Sequence, residues 1–168
     1  QDYLSYTQTM LGFKAHQKEA LKLAQKYWDA PESAAYFPKA LATVIAIAES
    51  GNTAAMAHLG RWYRLGTGVA IDLAISEHWY QKAADLKDGK GHNGLGRLCF
   101  TSDPNKAAAH FKMAVEMGEF TGYSHLADLD RDNELEHLKN ALQTGEAYDE
   151  YSYGQYLIRN AKTDEEKE

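Results

Sequence analysis

One cysteine, three prolines, no long apolar run and no excess of positive charge set the first limits on this 168-residue sequence. A single thiol, Cys99, cannot close an internal disulfide, so a crosslinked scaffold is excluded and cysteine use leaves the redox compartment open. With so few prolines and no extended Val/Ile/Thr segments, a β-rich class is disfavoured. Ala, Leu, Lys, Glu and Gln fill the periodic segments instead, and these residues lose little on entering a helix. The longest apolar run, Ala40 to Ala48, contains Thr43 and falls far short of the ~20 residues a bilayer span requires. It reads as a buried helix, and no membrane insertion is expected. Eighteen Lys and Arg stand against 24 Asp and Glu, a net charge of −6. That balance provides no basic stripe for a phosphate backbone, so nucleic acid is not an expected partner. The chain opens at Gln1 rather than at methionine, as expected of a processed or trimmed product whose targeting segment is gone, and export stays open.

What the sequence does have is a period. A large residue followed by a small one recurs as Leu59-Gly60, Leu95-Gly96, Leu126-Ala127 and Tyr153-Gly154. Nine positions before three of the small residues stand Gly51, Gly118 and Gly145. At the fourth site the position is Lys87, with Gly89 and Gly91 just after it, which suggests a displaced turn. Each of these positions ends a run with apolar residues at helical spacing, such as Val44 and Ile47, Trp79 and Ala83, Phe111 and Ala114, Leu138 and Ala141. Glycine suits the left-handed residue that closes a helix, and the small residue after it allows close approach of a second helix. The unit is therefore a helical hairpin. Steps between the small residues are 36, 31 and 27, so the repeat shortens along the chain, mainly in the turn between its two helices. Asp72, Asp103 and Asp130 stand where a helix N-cap belongs.

The stretch Ala57-x-Leu59-Gly60-x-x-Tyr63-x-x-Gly66-x-Gly68-Val69-x-x-Asp72, followed by Trp79-Tyr80-x-Lys82-Ala83-Ala84, closely resembles one Sel1-like repeat, a relative of the tetratricopeptide repeat. The segment from Leu95-Gly96 to Gly118 resembles it with the inter-helix loop deleted, Cys99 in place of tyrosine and His110-Phe111 in place of Trp-Tyr. A third unit matches less closely. The resemblance implies an all-α chain, an α/α solenoid of stacked antiparallel hairpins in a right-handed superhelix. Residues 1–168 are expected to form one such domain, with an N-terminal helical cap over 1–35, repeat hairpins over 36–160 and an acidic, frayed tail over 161–168. Stacking agrees with the physics, since a hairpin of about 30 residues has an apolar face that only a neighbouring hairpin can cover.

The residue types that could carry chemistry fall into this register. His110 and His137 occupy the Trp79 position, and His58 and His125 both precede the leucine of the Leu-small pair. Such recurrence is what duplication of packing positions produces, and layers about 10 Å apart cannot share one zinc. Neither a His-x-x-x-His pair nor His-Glu-x-x-His is present, which removes the metalloprotease signature. Cys99 takes the Tyr63 position and reads as core. Leu65-Gly66-Thr67-Gly68-Val69 follows a helix and lacks the lysine of a nucleotide loop, so it reads as a turn, and Gly89 to Gly94 reads as a flexible inter-repeat loop. Asp128, Asp130 and Asp132 start like a calcium loop, but Glu134 and Leu135 replace its glycine and the distal glutamate is missing. With Glu134 and Glu136 they read as a solvated, helix-initiating cluster. No catalytic residue, metal or cofactor is expected.

What remains is surface. Tyr63, Trp79 and Tyr80 fill packing positions of the repeat, whereas Trp62, Tyr148, Tyr151 and Tyr156 have none assigned. Arg61 and Arg64 lie opposite Leu59 and Tyr63, and the Arg61 column continues as Arg97, Asp128 and Gln155. In repeats of this kind the inner face, made by the first helix of each hairpin, holds segments of partner proteins. The resemblance thus implies partner contacts at His58, Arg61, Trp62, Arg64, Arg97, His125, Asp128, Tyr151 and Gln155. It points to a bacterial protein-interaction module of adaptor or immunity type, with a toxin, effector or envelope protein as partner and the periplasm or envelope favoured over the cytoplasm. The alternatives are a hydrolase or other enzyme on a helical scaffold and a structural subunit of a larger envelope assembly.

Overall fold

Helix starts in this chain are fixed by short polar side chains, as the computed structural model shows for residues 37–145 and 147–165. Asn52, Asp72, Asp88 and Asp103 each accept from a first-turn amide, of Ala55, Ile75, Lys90 and Lys106, at 3.0, 2.9, 2.9 and 3.0 Å. Those amides have no partner inside a helix, so each cap satisfies a group that would otherwise be orphaned. The helices are α1 (Phe37–Glu49), α2 (Thr53–Leu65), α3 (Leu73–Asp85), α4 (Gly89–Cys99), α5 (Pro104–Glu116), α6 (Gly122–Leu129), α7 (Glu134–Ala141) and α8 (Ala147–Glu165). Short 3-10 turns at Arg131–Asn133 and Leu142–Thr144 flank α7. No strand occurs among the described residues, and no described helix is long and apolar enough to cross a membrane.

The chain divides between Leu86 and Lys87 into two compact units. In the first, α1 packs on α2 and α2 on α3 around Val44, Ile47, Leu59, Trp62 and Trp79. In the second, each of α4 to α8 packs on the next, with Ala107, Phe111 and Leu126 at the centre of one core cluster. Helices packed on their sequence neighbours as hairpins are the construction of an α/α solenoid.

Within a hairpin, the small residue of the first helix is sized to the ring of the second. A Cβ on Gly60 would lie 2.7 Å from the Tyr80 ring, and one on Gly96 would lie 2.7 Å from the Phe111 ring. At the same register in the third hairpin, Ala127 is matched with Leu138, both of them buried. A slimmer partner is accompanied by one extra methyl. Buried Ser76 ties the first hairpin further by donating to the Gly60 carbonyl at 2.6 Å.

Three expectations need correction. The turn before α4 is not displaced: Lys87 itself takes the left-handed conformation, at φ 59°, in register with Gly51 at 94°, Gly118 at 85° and Gly145 at 68°. Gly89 to Gly94 is not a loop but the opening of α4, with Gly89, Gly91 and Gly94 buried. A Cβ on Gly89 would stand 2.7 Å from the Ala114 carbonyl oxygen and 2.6 Å from Glu119 Cβ, so glycine is there for close packing. Asp130 caps no helix; its carboxylate accepts from the Asn133 side chain and bonds His137. Leu65 to Val69 is a turn as expected, with Gly66 and Gly68 at positive φ. The cap expected over 1–35 lies outside the described residues, as do residues 166–168 of the tail, whereas Asp164 and Glu165 complete α8.

Candidate functional site

The helical register sorts the candidate contacts of the first unit into core and surface. Ala55, Met56, Leu59 and Trp62 form the buried face of α2. Trp62 is only 2% exposed and belongs to the core, so it offers a partner no face. Its three-residue step from Leu59 is the sequence signal for this, whereas Tyr63, expected inside, is only partly buried. His58 packs near Trp62, with ring centroids 6.0 Å apart. Arg61 is exposed, and Arg64 is half-buried with an Nε that finds no hydrogen-bond partner among the described residues.

In the second unit Arg97 is exposed on α4. His125 on α6 packs its ring against Phe111 at 4.7 Å and Phe100 at 6.1 Å, which makes it a wall of the core as much as a surface group. Cys99, partly buried beside the same cluster, donates to the Leu95 carbonyl at 3.3 Å.

Three of the expected contacts converge. Asp128 from α6 and Tyr151 and Gln155 from α8 line one groove of about 190 Å³, floored by Ala127 and Leu138. Two anchors hold its walls. At the start of α8, Asp149 is 2% exposed and accepts hydrogen bonds from Ser124 and Thr144, which ties α8 to α6. At the rim, Arg159 donates to both oxygens of Glu134 at 2.7 Å, and Arg131 donates to one of them at 3.1 Å. The Arg159 guanidinium also stands 5.6 Å from the centre of the Tyr156 ring. Burial works to raise the Glu134 carboxyl, but hydrogen bonds and charge from Arg159 and Arg131 outweigh it and hold the group below its ordinary value. Asp128 goes the other way: burial raises it, Arg131 opposes and Glu134 adds to the rise. The side chain of Tyr148 lies outside the described residues.

Two polar pairs lie apart from the groove's lining. His92 on α4 and His110 on α5 bring their Nδ1 atoms to 3.2 Å. Burial, then the charges of His92 and Lys106, hold the His110 imidazole below its ordinary value. Asp130 is lowered by hydrogen bonds from Asn133 and His137. The His92 and His110 contact was not legible in the sequence, because 18 residues separate the two and only the packing of α4 on α5 joins them. Among the described residues no group of three or more His, Cys, Asp or Glu is placed to hold a metal ion.

The Sel1 repeat family model matches residues 53–88 and 91–119, which correspond to the α2–α3 and α4–α5 hairpins. No curated protein sequence matches the chain. Among solved structures, a Sel1 repeat protein from Oxalobacter formigenes is 21% identical with a TM-score of 0.67, over 83% of this chain and 62% of that one. A protective antigen present in uropathogenic Escherichia coli strains, displaying an SLR fold, is 19% identical with a TM-score of 0.67, over 85% of this chain and 34% of that one. The chain therefore spans less than two thirds of either neighbour, and at these identities the likeness is one of fold. Aligned glycines, hairpin packing and family match agree, and the chain carries Sel1 repeats over residues 53–88 and 91–119.

Proposed function

We propose that this chain is a bacterial protein-binding module of adaptor or immunity type, which holds a segment of a toxin, effector or envelope protein against the first helices of its hairpins. Sel1 repeats are generally protein-interaction modules. The observation that carries the reading is the convergence of Asp128, Tyr151 and Gln155 in one groove whose sides are α6 and α8. A first helix packed beside the first helix of the next hairpin presents side chains with no structural duty, and Tyr151, 63% exposed, is the largest of them. Exposed tyrosine and arginine are the residue types that anchor protein interfaces. Arg61 and Arg97 are exposed on the corresponding helices α2 and α4.

The test is affinity capture with mass spectrometry, comparing the wild-type chain with Tyr151→Ala/Gln155→Ala and with Arg61→Glu/Arg97→Glu. A partner retained by the wild type and lost from both variants, with helicity by circular dichroism unchanged, is the expected outcome. Equal capture by all three chains overturns the reading.

A further inference from the structure

The groove already shows how it holds a cation. Arg159 is fixed between a carboxylate, Glu134, and a tyrosine ring, Tyr156. Glu134 also takes Arg131, so both arginines that line the groove are committed to one acid. Asp128 and Tyr151 line the same groove and bring to it a second carboxylate and a second ring. Asp128 makes no hydrogen bond or ion pair with any described residue. Its carboxylate is exposed at the groove, and Arg131, the cation that acts on it, is bonded to Glu134. A cation of the bound protein can therefore reach Asp128 with a charge-assisted hydrogen bond, and a tyrosine face adds attraction for a guanidinium or ammonium.

We infer that the groove seats a lysine or arginine side chain of the bound protein, with its cation on the Asp128 carboxylate and against the Tyr151 ring, and the Gln155 side-chain oxygen accepting a further hydrogen bond. Size agrees: about 190 Å³ suits one long side chain, whereas pockets for drug-sized ligands run to roughly 300–1,000 Å³. Charge agrees as well, since a chain of net charge −6 attracts basic segments over acidic ones. This inference rests on the protein-binding reading and names the chemistry of what enters the groove.

The probes are three capped tripeptides, N-acetyl-Gly-Arg-Gly-amide, its lysine counterpart and its glutamate counterpart, titrated into the ¹⁵N-labelled chain and followed by amide chemical shifts. The basic peptides are expected to shift residues 124–131 and 151–159 saturably, and the glutamate peptide to leave them in place. Asp128→Asn is expected to weaken the basic peptides by about five- to tenfold, and Tyr151→Ala to weaken them more than Tyr151→Phe does. A well-dispersed amide spectrum for each variant excludes loss of fold as the cause. An absence of saturable shifts, equal response to the glutamate peptide, or undiminished affinity in Asp128→Asn overturns the inference. The two readings fail separately. If partner capture depends on Tyr151 and Gln155 but the basic peptides do not bind, only the basic side chain is wrong. If capture is indifferent to the groove variants, the protein-binding reading falls on its own evidence.

Discussion

At the scale of single residues, the hairpins are governed by a size match between one small side chain and one large one. Gly96 faces Phe111 so closely that an added Cβ, 2.7 Å from the ring, forces a shift. Gly96→Ala is therefore expected to lower stability by about 1–3 kcal/mol, the usual range for overpacking. The Ala127 and Leu138 match predicts the remedy: in a Phe111→Leu background the same substitution costs at least ~1 kcal/mol less, a coupling that a urea double-mutant cycle reads directly. Gly154 occupies the same register in α8, yet a Cβ there meets nothing within 4 Å. Gly154→Ala should raise stability by about 0.5–1 kcal/mol, as for any mid-helix glycine. A loss at position 154 matching that at 96 would sink the size-match account. The His92 and His110 pair adds a pH dependence. Because folding holds His110 below its ordinary value of 6.5, the unfolded chain binds more protons as pH falls through 6.5. The pair's contribution is fully present above pH 6.5 and declines from there down to the folded pKa. Urea midpoints of the wild type should therefore fall more steeply than those of His110→Gln between pH 7.5 and 5.5, and parallel slopes would exclude the effect.

At the scale of elements, helix ends were legible wherever one residue type serves one backbone need. Asp72 and Asp103 cap as their positions predict, and Gly51, Gly118 and Gly145 close helices in the left-handed conformation. The failures occurred where a residue serves the backbone against its own preference, or where a usual signal serves another purpose. Lys87 takes the left-handed conformation at φ 59° despite its Cβ, and Gly89 to Gly94 look like punctuation but open a helix, at whose start Gly89 is packed too closely for a Cβ. Replacing the lysine tests this. Lys87→Gly should stabilise the chain by about 1 kcal/mol, since a left-handed non-glycine residue costs roughly 1–2 kcal/mol and glycine returns part of it as unfolded-state entropy. Thermal and urea denaturation check the sign. A destabilisation would mean that the lysine side chain stabilises the turn by more than its backbone strain costs.

At the scale of the whole molecule, the solenoid was more legible than its surface, because the residue types at packing positions recur with the repeat and those at surface positions do not. Asp128 and Gln155 reach the groove because one column of the register carries them there, and Tyr151 lines it as a residue that no packing position claims. Trp62 was misplaced since a bulky aromatic beside an exposed arginine looks like an interface residue until the three-residue step from Leu59 turns it inward. Arg131, Glu134 and Arg159 escaped because the last two are 25 residues apart and meet only through folding. Charge at this scale acts differently from charge at a contact. Arg61→Glu/Arg97→Glu changes the formal net charge by −4, from −6 to −10. If both arginines touch the partner, their loss acts after encounter, and dissociation of the captured partner should accelerate by about tenfold or more. Association should change by less than about threefold near 0.15 M salt, where the Debye length of about 8 Å confines each exposed charge to its own neighbourhood. Surface plasmon resonance with the captured partner separates the two rates. A change confined to association that vanishes in high salt would assign these arginines to long-range steering and remove them from the contact face.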